Sequence, residues 1–88
     1  MNYDVLWSAT ARRSLRRLPE KVATAAVEFI YATVAEHPTR VGKPLRFELQ
    51  GLHSARRGDY RVIYQINEAT PSITIADIQH RADIYRPR

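Results

Sequence analysis

Apolar and polar positions along the 88-residue chain alternate between strand-like and helix-like spacing, and the changes of period mark the elements. Residues 2–7 (Asn2-Tyr3-Asp4-Val5-Leu6-Trp7) carry the branched and aromatic side chains of a short strand. Ser8 or Thr10 then stands where a helix cap is needed, ahead of Ala11, Leu15 and Leu18 at i, i+4 and i+7. Arg12, Arg13, Arg16 and Arg17 fall off that apolar stripe and give the helix a basic outer face, and Pro19 ends it. Pro19 also suits the entry to a second helix, with Glu20 placed where the helix dipole favours an acid. Val22, Ala26, Phe29, Ile30 and Thr33 line one face of this helix, and Val27 and Val34 widen it. It is expected to run to about Glu36 and stop before Pro38, because a residue preceding proline avoids the helical region.

A turn-rich connection at residues 37–46 leads to three strand-like runs, at about 46–54, 59–67 and 72–79. Asn67-Glu68-Ala69-Thr70-Pro71 supplies the turn of an antiparallel hairpin between the last two. The predicted order is β-α-α-β-β-β in one domain spanning residues 1–88. The economical architecture is α+β: a mainly antiparallel sheet with an N-terminal helical hairpin packed on one face.

Composition sharpens this picture in one respect. The formal charge is +5 and, of fourteen basic residues, twelve are arginine. Arginine stays charged, forks onto phosphate oxygens and stacks on bases, so nucleic acid or an acidic protein is the partner class to test. Without a cysteine the chain has no disulfide, thiolate nucleophile or cysteine metal site. The histidines His37, His53 and His80 show no metal-ligand spacing, and no metal or cofactor is expected. Neither a signal peptide nor a run of the ~18 apolar residues that a membrane span needs is visible, so a soluble cytoplasmic protein is expected.

Position turns the arginines into candidate chemistry. Arg56-Arg57-Gly58-Asp59-Tyr60-Arg61-Val62-Ile63-Tyr64 begins one strand, and His80-Arg81-Ala82-Asp83-Ile84-Tyr85-Arg86 ends its expected neighbour. Strand alternation puts Val62, Tyr64 and Ile66 on the core side and Arg61 on the face that helices leave open. Antiparallel pairing is then expected to bring His80, Arg81 and Tyr85 close to Arg56 and Arg61. Such a group fits RNA cleavage by the RNA's own 2′-hydroxyl: guanidiniums stabilise the phosphorane, and a histidine or tyrosine moves protons. The blander alternatives are that Arg61 covers sheet surface with its stem, that Asp59 closes a turn or pairs with an arginine, and that Tyr60 and Tyr64 pack.

These residues carry a family resemblance. Ala11-Arg12-Arg13-Ser14-Leu15-Arg16-Arg17-Leu18-Pro19, Gly42-Lys43-Pro44-Leu45, the Gly58-Asp59-Tyr60-Arg61 turn and the His80-Arg81-x-x-x-Tyr85 ending resemble the RelE/ParE superfamily of type II toxin–antitoxin toxins, closest to its RelE branch and the mycobacterial RelE-like toxins. The resemblance covers essentially the whole chain. It implies a microbial-RNase-like fold and a ribosome-dependent mRNA endoribonuclease acting in the 30S A site. It also implies a cognate antitoxin, RelB-like or Phd/YefM-like, through which the complex would meet operator DNA. By motif it makes Arg61 and Arg81 the charge-stabilising residues and Tyr85 the residue that orients or activates the 2′-hydroxyl or stacks on a base. Arg56, Arg57, His53 and Arg86 are the remaining candidates for RNA contact. Relatives carry lysines on the strand where this chain reads Leu52-His53-Ser54-Ala55-Arg56, which leaves proton transfer open between His53, His80 and Tyr85. Two other functions fit the same scaffold: a ParE-like DNA gyrase inhibitor, and a degenerate toxin that only binds its antitoxin.

Overall fold

Ser8 does start the first helix, and it does so in two directions. Its extended backbone lets Oγ accept from the Ala11 amide at 3.0 Å, while the same hydroxyl donates to the Ala76 carbonyl at 3.0 Å. The cap therefore satisfies a free helical amide and fastens the helix to the sheet. The computed structural model describes residues 2–81. Its elements are β1 (Asp4–Trp7), α1 (Ala9–Arg17), α2 (Glu20–Phe29), α3 (Pro38–Val41), β2 (Lys43–Pro44), β3 (Leu52–Arg57), β4 (Tyr60–Asn67) and β5 (Ser72–His80).

The strands form a five-stranded sheet in the order β1-β5-β4-β3-β2. Neighbours are antiparallel except for β1, which runs parallel to β5 with Asp4 beside Ser72 and Trp7 beside Ile75. A parallel pair cannot be closed by a tight turn, so β1 has to wait for the helices and three strands before meeting its partner. The expected α+β architecture, mainly antiparallel with helices on one face, is observed. Packing of α1 on β5 and of α2 against β4 covers that face. No helix among the described residues is long and apolar enough to cross a membrane.

Ala11, Leu18, Ala26, Phe29, Ile30 and Val34 from the helices meet Val62, Tyr64, Ile73, Ile75 and Ile78 from the sheet. Each large aliphatic side chain wholly removed from water here contributes about 1.5–3 kcal/mol. Ser14 lies inside the α1 stripe, buried, and donates to Asp77 Oδ1 at 2.5 Å, which also accepts from the Ile78 amide at 2.8 Å. Pro19 stands at the N-cap of α2, as its place before Glu20 predicts. The last turn of that helix widens into a π-turn at Ile30–Val34, closed by the Ala35 amide on the Ile30 carbonyl at 2.8 Å. The extra residue in the turn rotates the apolar face, so Val34 is wholly buried while Thr33 sits at the margin.

Three expectations need correction. The run at 46–54 is a strand only from Leu52 onward; Phe47–Leu49 form a 3₁₀ turn instead. Phe47 adopts a left-handed φ of 59° and is 90% exposed, so its apolar, strand-favouring character belongs to no core. Within 37–46, a short helix seats the buried Pro38, and Lys43–Pro44 pair with β3. The chain passes so close to Tyr64 at Gly42 that a Cβ there would lie 2.0 Å from the tyrosine hydroxyl, which donates to the Pro38 carbonyl at 2.5 Å. Lastly, β5 is not regular. Ile63 pairs with Asp77 but Tyr64 pairs with Ile75, which leaves Ala76 as a bulge.

Candidate nucleic-acid interface

The β3–β4 hairpin turns through two residues, Gly58 and Asp59. Gly58 has a φ of 60°, the left-handed backbone that the first position of a tight hairpin turn favours. On either side of the turn the register sets two rows of side chains. Arg57 faces Tyr60, which faces His80; in the next row Arg56 faces Arg61, which faces Gln79. Cross-strand partners share a face of the sheet, and consecutive rows take opposite faces. Tyr60 belongs to the core, so the first row lies on the helix-covered side. Arg56, Arg61 and Gln79 therefore occupy the open side.

The Arg81 amide donates to the Asp59 carbonyl at 2.7 Å and ties the end of β5 to the hairpin turn. Arg81 thereby joins Arg56, Gly58, Asp59, Tyr60, Arg61 and Gln79 around a cleft of about 210 Å³. Three guanidiniums line it against one carboxylate. Arg56 and Arg61 are direct cross-strand neighbours, an arrangement that costs stability unless something negative is held between them. The cleft is smaller than the ~300 Å³ typical of pockets that enclose a whole small molecule. It suits one charged group of a longer chain.

The other candidates fall elsewhere. Arg57 sits on the helix side, with its guanidinium carbon 5.4 Å from the centre of the Phe29 ring. His80 was expected beside Arg56 and Arg61. Alternation after the Ala76 bulge instead turns it toward Tyr60, on the opposite face. His53 stacks on Tyr64, with ring centres 5.7 Å apart and planes 23° apart, three rows from the Arg56–Arg61 pair. At strand spacing that is about 10 Å. Its Nδ1 is buried with no hydrogen-bond partner among the described residues. Tyr85 and Arg86 lie outside the described residues.

Neither core tyrosine is suited to accepting a proton. Burial pushes the Tyr64 hydroxyl up to about 12, against a lesser opposing effect of the Gly42 backbone. Burial also raises Tyr60, whose hydroxyl donates to the Ala25 carbonyl at 3.2 Å; Arg57 lowers it and Glu28 raises it, both more weakly. Two cleft residues were not singled out for chemistry from the sequence. Gln79 reaches the cleft only because the bulge resets the alternation of β5. Asp59 was read as a turn residue, and its position between Gly58 and Tyr60 was the available signal.

Comparison with known proteins matches residues 5–85 to the family described as the ParE toxin of the type II toxin-antitoxin system parDE. Among curated proteins, Toxin RelE of Mycobacterium tuberculosis (strain ATCC 25618 / H37Rv) is 52% identical over 84 residues, covering 96% of this chain and 87% of that protein. Toxin RelG of the same strain is 49% identical over 86 residues, covering 98% and 99%. Among solved structures, the M. tuberculosis toxin-antitoxin complex RelBE2 aligns with a TM-score of 0.90 at 44% identity, over 92% of this chain and 100% of that one. The isolated E. coli RelE toxin shares the fold, with a TM-score of 0.73 at 17% identity over 94% and 90%. The family label says ParE and the similar curated toxins are named RelE and RelG, two branches of one scaffold. With nearly its whole length matched at this identity, the chain belongs to the RelE/ParE superfamily of type II toxin–antitoxin toxins.

Proposed function

We propose that this toxin is a metal-independent, ribosome-dependent mRNA endoribonuclease that blocks translation until a RelB-like or Phd/YefM-like antitoxin covers it. The observation that carries this reading is the direct cross-strand pairing of Arg56 with Arg61, with Arg81 lining the same cleft, a local concentration of positive charge. In the proposed reaction the RNA 2′-oxygen loses its proton and attacks the adjacent phosphorus. The phosphorane passes its charge to the guanidiniums, and the 5′-oxygen leaves with a proton, giving a 2′,3′-cyclic phosphate and a free 5′-hydroxyl. Arg61 and Arg81 stabilise the phosphorane, and Arg56 holds the neighbouring phosphate. We assign proton transfer to Tyr85 rather than to His80, which shares the opposite face with Tyr60, or to His53, whose ring lies against Tyr64 away from the cleft.

Mapping mRNA 5′ ends after induction tests the assignment. The chain as given is expected to create new ends inside coding regions, and Arg61→Ala and Arg81→Ala to lose them while remaining folded by circular dichroism. Both are exposed enough for truncation to spare the core: Arg81 is exposed and Arg61 half-buried. Full toxicity in both variants would show the site to be wrong. The ParE family match favours one second reading, inhibition of DNA gyrase without RNA cleavage. Replication arrest with an SOS response and intact mRNA would select it.

A further inference from the structure

A second pocket, of about 290 Å³, opens on the helix side of the same hairpin, and Tyr60 lines both it and the arginine cleft. Its floor is aromatic: Phe29 and Tyr60 pack edge-to-face with ring centres 6.1 Å apart. Arg57 lies over Phe29, yet the residue remains exposed and borders the pocket. A guanidinium over one ring offers its other side to a second planar group. Glu28 and Thr33 border the same pocket from the helical side. Stacking plane, aromatic floor and hydrogen-bond acceptor thus converge at one place, next to a cleft built for phosphate.

We infer that this pocket is a nucleobase subsite, which receives a base flanking the phosphate in the arginine cleft and prefers bases with an exocyclic amino group. This inference rests on the RNA reading above and adds the source of its base preference. Arg57 supplies the stack. Glu28, which can only accept, pairs with the amino group of cytosine or adenine and repels the 4-keto oxygen that uracil presents at the same place. The strand bends round the Gly58-Asp59 turn, so that phosphate and base fall on opposite faces of the sheet.

The test uses uncleavable 2′-O-methylated oligouridylate and the same oligonucleotide with one cytidine, titrated against the full chain by fluorescence anisotropy. The cytidine probe is expected to bind about tenfold tighter, the scale of one base stack and hydrogen bond. Arg57→Lys, which keeps the charge but not the plane, and Glu28→Gln should each bring the affinities of the two probes to within about twofold of one another. Equal affinity of the unaltered chain for both probes overturns the inference. So does a preference that survives both substitutions. If Arg61→Ala weakens both probes in those cases, the RNA reading stands and only the subsite is lost; no RNA binding by the unaltered chain removes both. Variants that bind RNA normally but lose antitoxin affinity would give the pocket to the protein partner, and that outcome also overturns the inference.

Discussion

Tyr64 is wholly buried between His53 and Gly42, with its hydroxyl spent on the Pro38 carbonyl, and its proton is held until about pH 12. In the unfolded chain the same group releases its proton near 10. Between those values the unfolded state sheds a proton that the folded state keeps, so stability is complete below pH 10 and falls as pH rises toward 12. Two units correspond to about 2–3 kcal/mol. Urea unfolding midpoints measured across this window should fall accordingly, with Tyr60 contributing in the same direction. Tyr64→Phe should cost about 1 kcal/mol at neutral pH for the lost hydrogen bond and flatten most of the alkaline decline. An undiminished decline in that variant would place the effect elsewhere. The same residue shows what the sequence could and could not convey. Alternation put Tyr64 on the core side correctly, whereas nothing in its neighbourhood announced a hydroxyl wedged against Gly42, twenty-two positions earlier.

At the scale of elements, the bulge at Ala76 decides which side chains of β5 reach the site. Regular alternation from Ile73 and Ile75 would bury residues 77 and 79. With one residue bulged out, Ile78 enters the core opposite Val62 and Gln79 faces Arg61. Deleting Ala76 should therefore straighten β5 while keeping Ile78 opposite Val62 and Gln79 opposite Arg61. The expected cost is about 1 kcal/mol, for the bond that the Ser8 hydroxyl donates to the Ala76 carbonyl, with the arginine cleft retained. Chemical denaturation measures the first and RNA binding the second; loss of the core packing or of RNA binding would mean that the register is not set here. Helix boundaries were legible because caps and prolines are local signals, as Ser8 and Pro19 illustrate. The first run of the sheet was not. Phe47 and Leu49 have strand-forming side chains, but the left-handed backbone at Phe47 and Gly51 starts the strand only at Leu52. Of the site, Arg56, Arg61 and Arg81 could be gathered from pairing alone, while the face of His80 depended on a bulge that no short pattern encodes.

For the whole molecule, charge is distributed rather than merely abundant. The α1 arginines face outward and exposed, whereas three others converge on the cleft. If three phosphate contacts dominate, binding to single-stranded RNA should weaken with salt at a log–log slope of about −2. Arg61→Ala should reduce that slope by about 0.7, and Arg12→Ala should leave it unchanged. Titrations from low to moderate salt read both numbers; equal effects of the two variants would mean a diffuse surface rather than a site.

The parallel union of β1 with β5 has a consequence for the time at which this protein becomes harmful. β5 lies between β1 and β4, and only with it and the residue that follows do Gln79 and Arg81 arrive to finish the cleft. A nascent chain emerging from the ribosome thus holds α1, α2, α3 and four of the five strands before it holds the cleft. Pairings that span nearly the whole sequence also form slowly. Synthesis interrupted before Ser72 leaves β1 with no strand beside it and the cleft without its last wall, so under the proposed function an incomplete copy is expected to be inert. The order of the strands gives the cell that makes this toxin an interval between translation and harm.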